Sequence, residues 1–333
     1  MINSRIVVIT GAGAGVGRAV CEEFAKNGWH VALLSRDVAR LERAASEIRE
    51  RYDVKALAIP TDVASAEAVA TAADRVELEL GPIHTWVNVA MATVFGAVNT
   101  VTAAEVERGT HVTYLGQVYG MMSALKHMRP RNEGVIVNVG SALAYRSIPL
   151  QAIYCGAKAA IRGFTDSLRS ELIHDKLAIR LTMVDLPAVN TPQFDWALNK
   201  TGHRPQPVPP IFQPEVPARA IYFAATHKRR EIWLGFSTVK AILANRLAPG
   251  LLDRYLAKAG YTGQLTDEKQ SAAAPANLFE PVPGPYGAHG RFDARARNSS
   301  AAMFTDRHRA LVVAAFVVMA GVALRRIVKR LDY

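Results

Sequence analysis

"RIVVITGAGAGVGRAV", residues 5–20, is the stretch from which the rest of the chain is read. A short apolar run of strand character ends at Thr10, glycines follow at 11, 15 and 17, and a helical period then begins. A strand that breaks into glycines and opens a helix is the setting in which backbone N–H groups at a helix N-terminus meet an anion. Gly11 permits the tight turn, Gly15 lets a pyrophosphate approach the backbone, and Gly17 lets the helix pack closely on the sheet. Such glycines alone would as often mark a plain turn; here strand, spacing and helix coincide.

Outward from this segment, short Val/Ile/Leu-rich runs alternate with longer segments of helical period, the pattern of a parallel sheet covered by helices. Strands are expected at 5–10, 30–35, 54–60, 84–88, 135–140, 178–185 and 231–234. Helices are expected near 15–28, 37–51, 64–80, 102–128, 151–176 and 217–226. The fold class is α/β, a doubly wound parallel seven-stranded sheet over about residues 1–240, within a catalytic domain that runs to 260. No internal repeat competes with this reading.

The chain has 333 residues, half of them hydrophobic, enough to bury a sizeable core and to exclude disorder throughout. Its net charge of +11 admits nucleic acid, an anionic cofactor or an acidic membrane surface. Residues 280–333, with nine Lys/Arg against four Asp/Glu, supply +5 of it. No dense basic stripe with interleaved aromatics appears, which argues against nucleic acid. Cys21 and Cys155 lie far apart, lack metal-ligand spacing and cannot make a disulfide scaffold, and no signal peptide precedes the first strand; a reducing, cytoplasmic compartment fits, and no metal is expected.

Residues 190–215 are proline-rich and carry Phe194, Trp196 and Phe212, so the segment is expected as an exposed lid over a substrate. Residues 261–305 include "EPVPGPYGAHG" and read as a linker. Residues 306–333 hold a basic-flanked hydrophobic helix in which Ala310–Leu324 has no polar side chain. Fifteen helical residues rise roughly 22 Å, short of a hydrocarbon core about 30 Å thick, although arginine stems snorkel. The segment is either a short membrane anchor or a helix docked on protein; its all-round apolarity favours lipid. Its denser basic flank follows it, which by the positive-inside rule conflicts with a cytosolic catalytic domain unless the segment lies in the interface.

The second strand ends in Ser35 and Arg36 where an acidic residue would accept from a ribose 2′-hydroxyl, so a 2′-phosphate, and hence NADP over NAD, is favoured. Asp62 suits either an adenine amino group or a helix cap. In "SALAYRSIPLQAIYCGAKAAIRGF", residues 141–164, Tyr154 and Lys158 share one helix face. A nearby ammonium stabilises a phenolate and brings its pKa toward neutrality, and Ser141 would donate to a carbonyl oxygen held beside that phenol. Tyr-x-x-x-Lys alone is a common surface pair; its place beyond a strand end, in a chain with a dinucleotide loop, gives it the catalytic reading.

On these residues the chain resembles the short-chain dehydrogenase/reductase family in its compact single-domain, Rossmann-type branch. The matches are Thr10, Gly11, Gly15 and Gly17, then Asp62, Asn88 with Val89 and Ala90, Ser141, and Tyr154 with Lys158; the thirteen-residue Ser-to-Tyr interval also agrees. The resemblance implies Tyr154 as acid/base, Lys158 on the nicotinamide ribose, Ser141 orienting substrate, and Thr191 meeting the carboxamide. It places Val16, Arg36 and Val63 with these matches around the cofactor, and implies a homo-oligomer built through the helices near 102–128 and 151–176. Three departures stand out: Val89 and Met91 in "NVAMA", Thr113 where an asparagine normally supports a relay to the lysine, and Leu186-Pro187 where Pro-Gly is usual. The expected activity is NADP-dependent interconversion of an apolar carbonyl and alcohol; the alternative is a non-catalytic, nucleotide-responsive binding protein of the same fold.

If the tail is an anchor, the full chain sediments with membranes and a chain ending at Asp306 does not. Identical fractionation of the two would dispose of the anchor.

Overall fold

The computed structural model describes residues 5–271 and 273–307. Seven strands form one parallel sheet: β1 Ile6–Thr10, β2 His30–Ser35, β3 Ala56–Pro60, β4 Ile83–Asn88, β5 Val135–Ser141, β6 Arg180–Leu186 and β7 Glu231–Trp233. Their spatial order is β7-β6-β5-β4-β1-β2-β3, the doubly wound arrangement expected. The winding reverses between β1 and β4, and the chain leaving these two strands in opposite directions opens a crevice at their carboxyl ends.

The helices are α1 Gly15–Lys26, α2 Val38–Arg51, α3 Ala66–Glu79, α4 Ala103–Thr110, α5 Gly116–Arg131, α6 Ala152–His174, α7 Gln193–Trp196, α8 Glu215–Thr226, α9 Phe236–Leu247, α10 Pro249–Thr262 and α11 Ala301–Arg307. Strand alternation explains the unbroken apolar run of β1. Val7 and Ile9 pack toward Phe24, Leu41 and Ile221 of α1, α2 and α8. Ile6 and Val8 join Val76, Met121 and Leu172 of α3, α5 and α6 on the other face.

Four expectations are corrected. The helix expected over 102–128 is divided by a π-helical turn, His111–Leu115, between α4 and α5. α9 and α10 were not anticipated: α9 starts straight after Gly235, at φ +81°, with no side-chain cap to announce it. Residues 261–305 are not a free linker. Leu265–Lys269 pairs antiparallel with His203–Pro205, Ile211–Phe212 pairs with Ala296–Arg297, and Leu278, Val282 and Phe292 are buried. Proline and glycine stop the segment forming helices, but its apolar residues still find cavities to fill. The aromatic side chains of the expected lid are likewise buried: Phe194 lies between Phe95 and Phe292, and Phe212 joins the main core. The apolar stretch 310–324 lies outside the described residues, among which no helix is long and apolar enough to cross a membrane.

A polar thread crosses the α5–α6 layer. The Trp86 indole N–H donates to Asn88 Oδ1 (2.8 Å), the Asn88 amide donates to Asn138 Oδ1 (2.9 Å), and the Asn138 amide donates to Thr165 Oγ1 (2.9 Å). Satisfying these groups lets the large indole be buried without loss. α5 crosses the thread at Gly120, where a Cβ would stand 2.6 Å from the Trp86 indole nitrogen and closer still to Asn88. Gly120→Ala should therefore destabilise the protein by roughly 1–3 kcal/mol. Gly163→Ala, on the open face of α6 with nothing nearby, should stabilise it by about 0.5–1 kcal/mol. Urea denaturation of both variants gives opposite signs if α5 is seated as described.

Candidate active site

At the carboxyl ends of the strands lies a cavity of about 440 Å³, lined at one end by Gly11, Gly15, Ser35, Arg36 and Asp62 and at the other by Ser141, Tyr154, Lys158 and Leu186. Its floor is set by backbone contact. Gly11 has φ +70°, and a Cβ there would sit 2.8 Å from Ala90 Cα; a Cβ on Gly17 would collide with the Gly11 carbonyl. Gly15, at φ +57°, leaves 3.2 Å to the Thr191 methyl. This cradle, shaped by the absence of three side chains, fits a dinucleotide whose pyrophosphate would rest on the start of α1, where the Gly15 N–H donates to the Gly287 carbonyl (3.0 Å).

The residues singled out in the sequence divide into two groups. Gly11, Gly15, Val16, Gly17, Arg36, Asp62, Val63, Ser141, Tyr154, Lys158 and Thr191 all line the cavity. Thr10 and Asn88 stand behind its wall. Thr10 Oγ1 accepts from the N–H groups of Val89 (3.0 Å) and Ala90 (3.2 Å), tying the end of β1 to that of β4. Asn88 is spent in the core thread.

At the adenosine end, Arg36 donates to the carbonyls of Phe279 (2.6 Å) and Asn277. Arg108 donates to Leu278 O (3.0 Å) and to Asp62 Oδ2 (2.7 Å). Arg40 bonds Asp37 and the Val282 carbonyl and lies over the rings of Trp196 and Tyr286. Nothing in the sequence flagged Arg40, Arg108 or their carbonyl partners, because the partners stand 170 and more residues away.

At the other end, Ser141 closes β5 and Tyr154 and Lys158 lie one turn apart on α6. The Leu143 N–H donates to Ser141 Oγ (3.1 Å), fixing the serine and leaving its own proton to donate. Lys158, 1 % exposed, donates to the Val139 carbonyl (2.7 Å), and its Nζ lies 5.6 Å from the Tyr154 ring centroid. The acidified phenol expected from that neighbour is not what the site shows. Burial dominates and pushes the Tyr154 phenol up, opposed by the Ser141 hydroxyl and reinforced by Asp185. Burial also brings the Lys158 amine down to about 7, against the pull of Asp185. Asp185, fully buried on β6, is raised well above the carboxylate range by burial and by the neighbouring Glu231 carboxyl. A lone aspartate in the apolar strand "RLTMVDL" was the available signal for it.

Thr113 sits in the π turn, where its hydroxyl donates to Ala92 O (2.9 Å) and accepts from Ala92 N–H (3.0 Å). Both its polar functions are committed to the backbone, so it does not reproduce an asparagine's reach toward the lysine. Gln151, Thr93 and Gln264 form a further polar thread that the sequence reading missed.

A glycine cradle at the switch point, joined to a Ser-Tyr-Lys cluster, defines a nicotinamide-dependent oxidoreductase of the doubly wound class. The short chain dehydrogenase family profile matches residues 5–201, and the chain belongs to that family. It is 29% identical over 325 residues to the uncharacterized oxidoreductase YxnA of Bacillus subtilis, covering 97% of this chain and 90% of that protein. It is 33% identical over 197 residues to a 2,3-dihydro-2,3-dihydroxybenzoate dehydrogenase of Bacillus subtilis, covering 59% of this chain and 74% of that one. Among solved structures it resembles the L-sorbose reductase of Gluconobacter frateurii complexed with NADPH and L-sorbose, with a TM-score of 0.61 and 25% identity over 68% of this chain and 93% of that chain. The chain is an NAD(P)-dependent oxidoreductase.

Lys158 also links stability to pH. Its folded pKa of about 7 lies below the ordinary 10.5, so between these values the unfolded chain binds more protons. Its contribution to stability is complete above about 10.5 and is lost as pH falls toward 7. Lys158→Met should accordingly raise the melting temperature relative to the parent at pH 7, and this advantage should shrink at pH 9.5. Scanning calorimetry showing the same difference at both pH values would refute a depressed Lys158.

Proposed function

We propose that the chain catalyses NADP-dependent interconversion of a carbonyl and a secondary alcohol on an apolar substrate. The observation that carries this reading is the convergence of the Ser141 hydroxyl, the Tyr154 phenol and the Lys158 amine on one end of a single groove. A nicotinamide, when bound, would supply or accept the hydride. Ser141 donates to the substrate oxygen, Tyr154 gives it a proton in reduction and takes one in oxidation, and Lys158 holds the nicotinamide ribose and, when cationic, supports the phenolate left behind. Burial keeps the phenol protonated and makes it a weaker acid, so its donation of a proton depends on a cationic Lys158.

An apolar substrate is supported by Leu143, Ile148, Leu186, Phe194 and Val208 lining that end. NADP over NAD is supported by Ser35 at the tip of β2, by Asp37 being taken up by Arg40, and by the Arg36 donors left beyond its bonds to residues 277–279. The basic-flanked apolar tail would hold this site near lipid, from which such a substrate could arrive. Exposed Met122 on α5 and Ile173 on α6 support self-association through those helices. The binding-protein alternative keeps one supporting observation, the diversion of Thr113 to the Ala92 backbone.

Tyr154→Phe should bind NADPH as the parent does and lose turnover by at least about a hundredfold, assayed on a panel of aldehydes, ketones and secondary alcohols. Retained turnover would overturn the assignment, and a parent that binds NADPH but transfers no hydride to any of the panel would favour the binding protein. In the same preparation Arg36→Ala should weaken NADPH about tenfold more than NADH, some 1.4 kcal/mol. Equal losses would remove the preference for NADP.

A further inference from the structure

The most unusual feature of the groove is a strand of chain from beyond the family match that lies along its adenosine end. Between Asn277 and Gly287, five backbone carbonyls are held by the body of the domain. Arg36 takes those of Asn277 and Phe279, Arg108 that of Leu278 (3.0 Å), Arg40 that of Val282, and the Gly15 N–H that of Gly287 (3.0 Å). Charged donors on carbonyls are strong hydrogen bonds, and the Gly15 N–H belongs to the cradle itself. The segment is also seated by its side chains: Leu278 is 1 % exposed within the α3–α5 core, and Tyr286 packs edge-on against Trp196 at 4.5 Å. Prolines at 281, 283 and 285 stiffen the span between these anchors.

This strap walls the adenosine end of the groove, and at Gly287 it takes a donor of the cradle itself. Asn277, Pro281 and Val282 line the same cavity as Ser35, Asp62 and Val63. We propose that residues 277–287 are a latch of the dinucleotide site, which encloses the adenosine half of the cofactor so that cofactor enters and leaves only when the strap lifts. This rests on reading the groove as the NADP site. Arg36 and Arg40, which line the cavity, are then positioning residues with two tasks, an anionic cofactor on one side and the strap's carbonyls on the other, while Arg108 ties the strap to Asp62. Holding by backbone carbonyls explains why no side-chain motif in residues 277–287 announces the latch.

The test is the rate of NADPH release from the full-length protein, followed by the loss of NADPH fluorescence on mixing with excess NADP, together with the rate of NADPH binding. Leu278→Ala removes the strap's apolar anchor and touches no group placed in the catalytic cluster. It should speed both release and binding by at least about tenfold. Should circular dichroism show Leu278→Ala unfolded, Tyr286→Ala, which removes the strap's edge-on contact with Trp196, decides with the same direction and a smaller factor. Release rates equal to the parent's would overturn the latch. So would faster binding with unchanged release, because loosening a strap that merely competes for the cofactor's place raises the association rate alone. A parent that does not bind NADPH would overturn the cofactor reading and the latch with it, whereas tight binding with insensitive release sinks the latch only.

Discussion

Everything in this molecule depends on how closely α1 can approach the end of β1. The Gly11 carbonyl lies under Gly17 with no room for a Cβ, and Gly11 itself turns back against Ala90. That close approach seats the helix N-terminus over the point where the sheet changes winding direction, and Thr10 fixes the two strand ends together by accepting from Val89 and Ala90. The crevice is thus a consequence of missing side chains and one buried hydroxyl. Its other walls are contributed by segments that reach it from far along the chain.

Within the crevice, burial has more influence on the chemistry than any one charged neighbour. The Tyr154 phenol is driven up, the Lys158 amine is driven down to about 7, and the Asp185 carboxyl is driven up, each toward its neutral form.

The carboxyl-terminal third gives the protein its departure from a compact single-domain enzyme. α9 and α10 extend the domain, and the segment after them returns across the site, pairing with residues 203–205 and 211–212 before it reaches α11. The aromatic residues that looked like an exposed lid, Phe194 and Trp196, are buried because this returning chain brings Phe292 and Tyr286 onto them. A segment that composition marks as a linker is instead part of the groove's wall.

Some of this was legible in the residues. The alternation of apolar strands and helical periods, the glycines at 11, 15 and 17, and the Ser141, Tyr154 and Lys158 intervals are local patterns, and local patterns follow from backbone geometry and side-chain size. They determined the sheet, the helices that cover it up to Thr226 and the cradle, and they singled out Ser141, Tyr154 and Lys158, which line one groove. Tertiary structure alone decided that Asn88 serves the core, that Thr113 is tied to Ala92, that Arg36 and Arg108 grip the backbone near Leu278, and that the phenol is raised by its surroundings. The physical reason is common to all four: hydrogen bonds to backbone carbonyls and amides, and the removal of water around a charge, are set by which distant segments meet, and side-chain identity along the chain carries no record of that meeting.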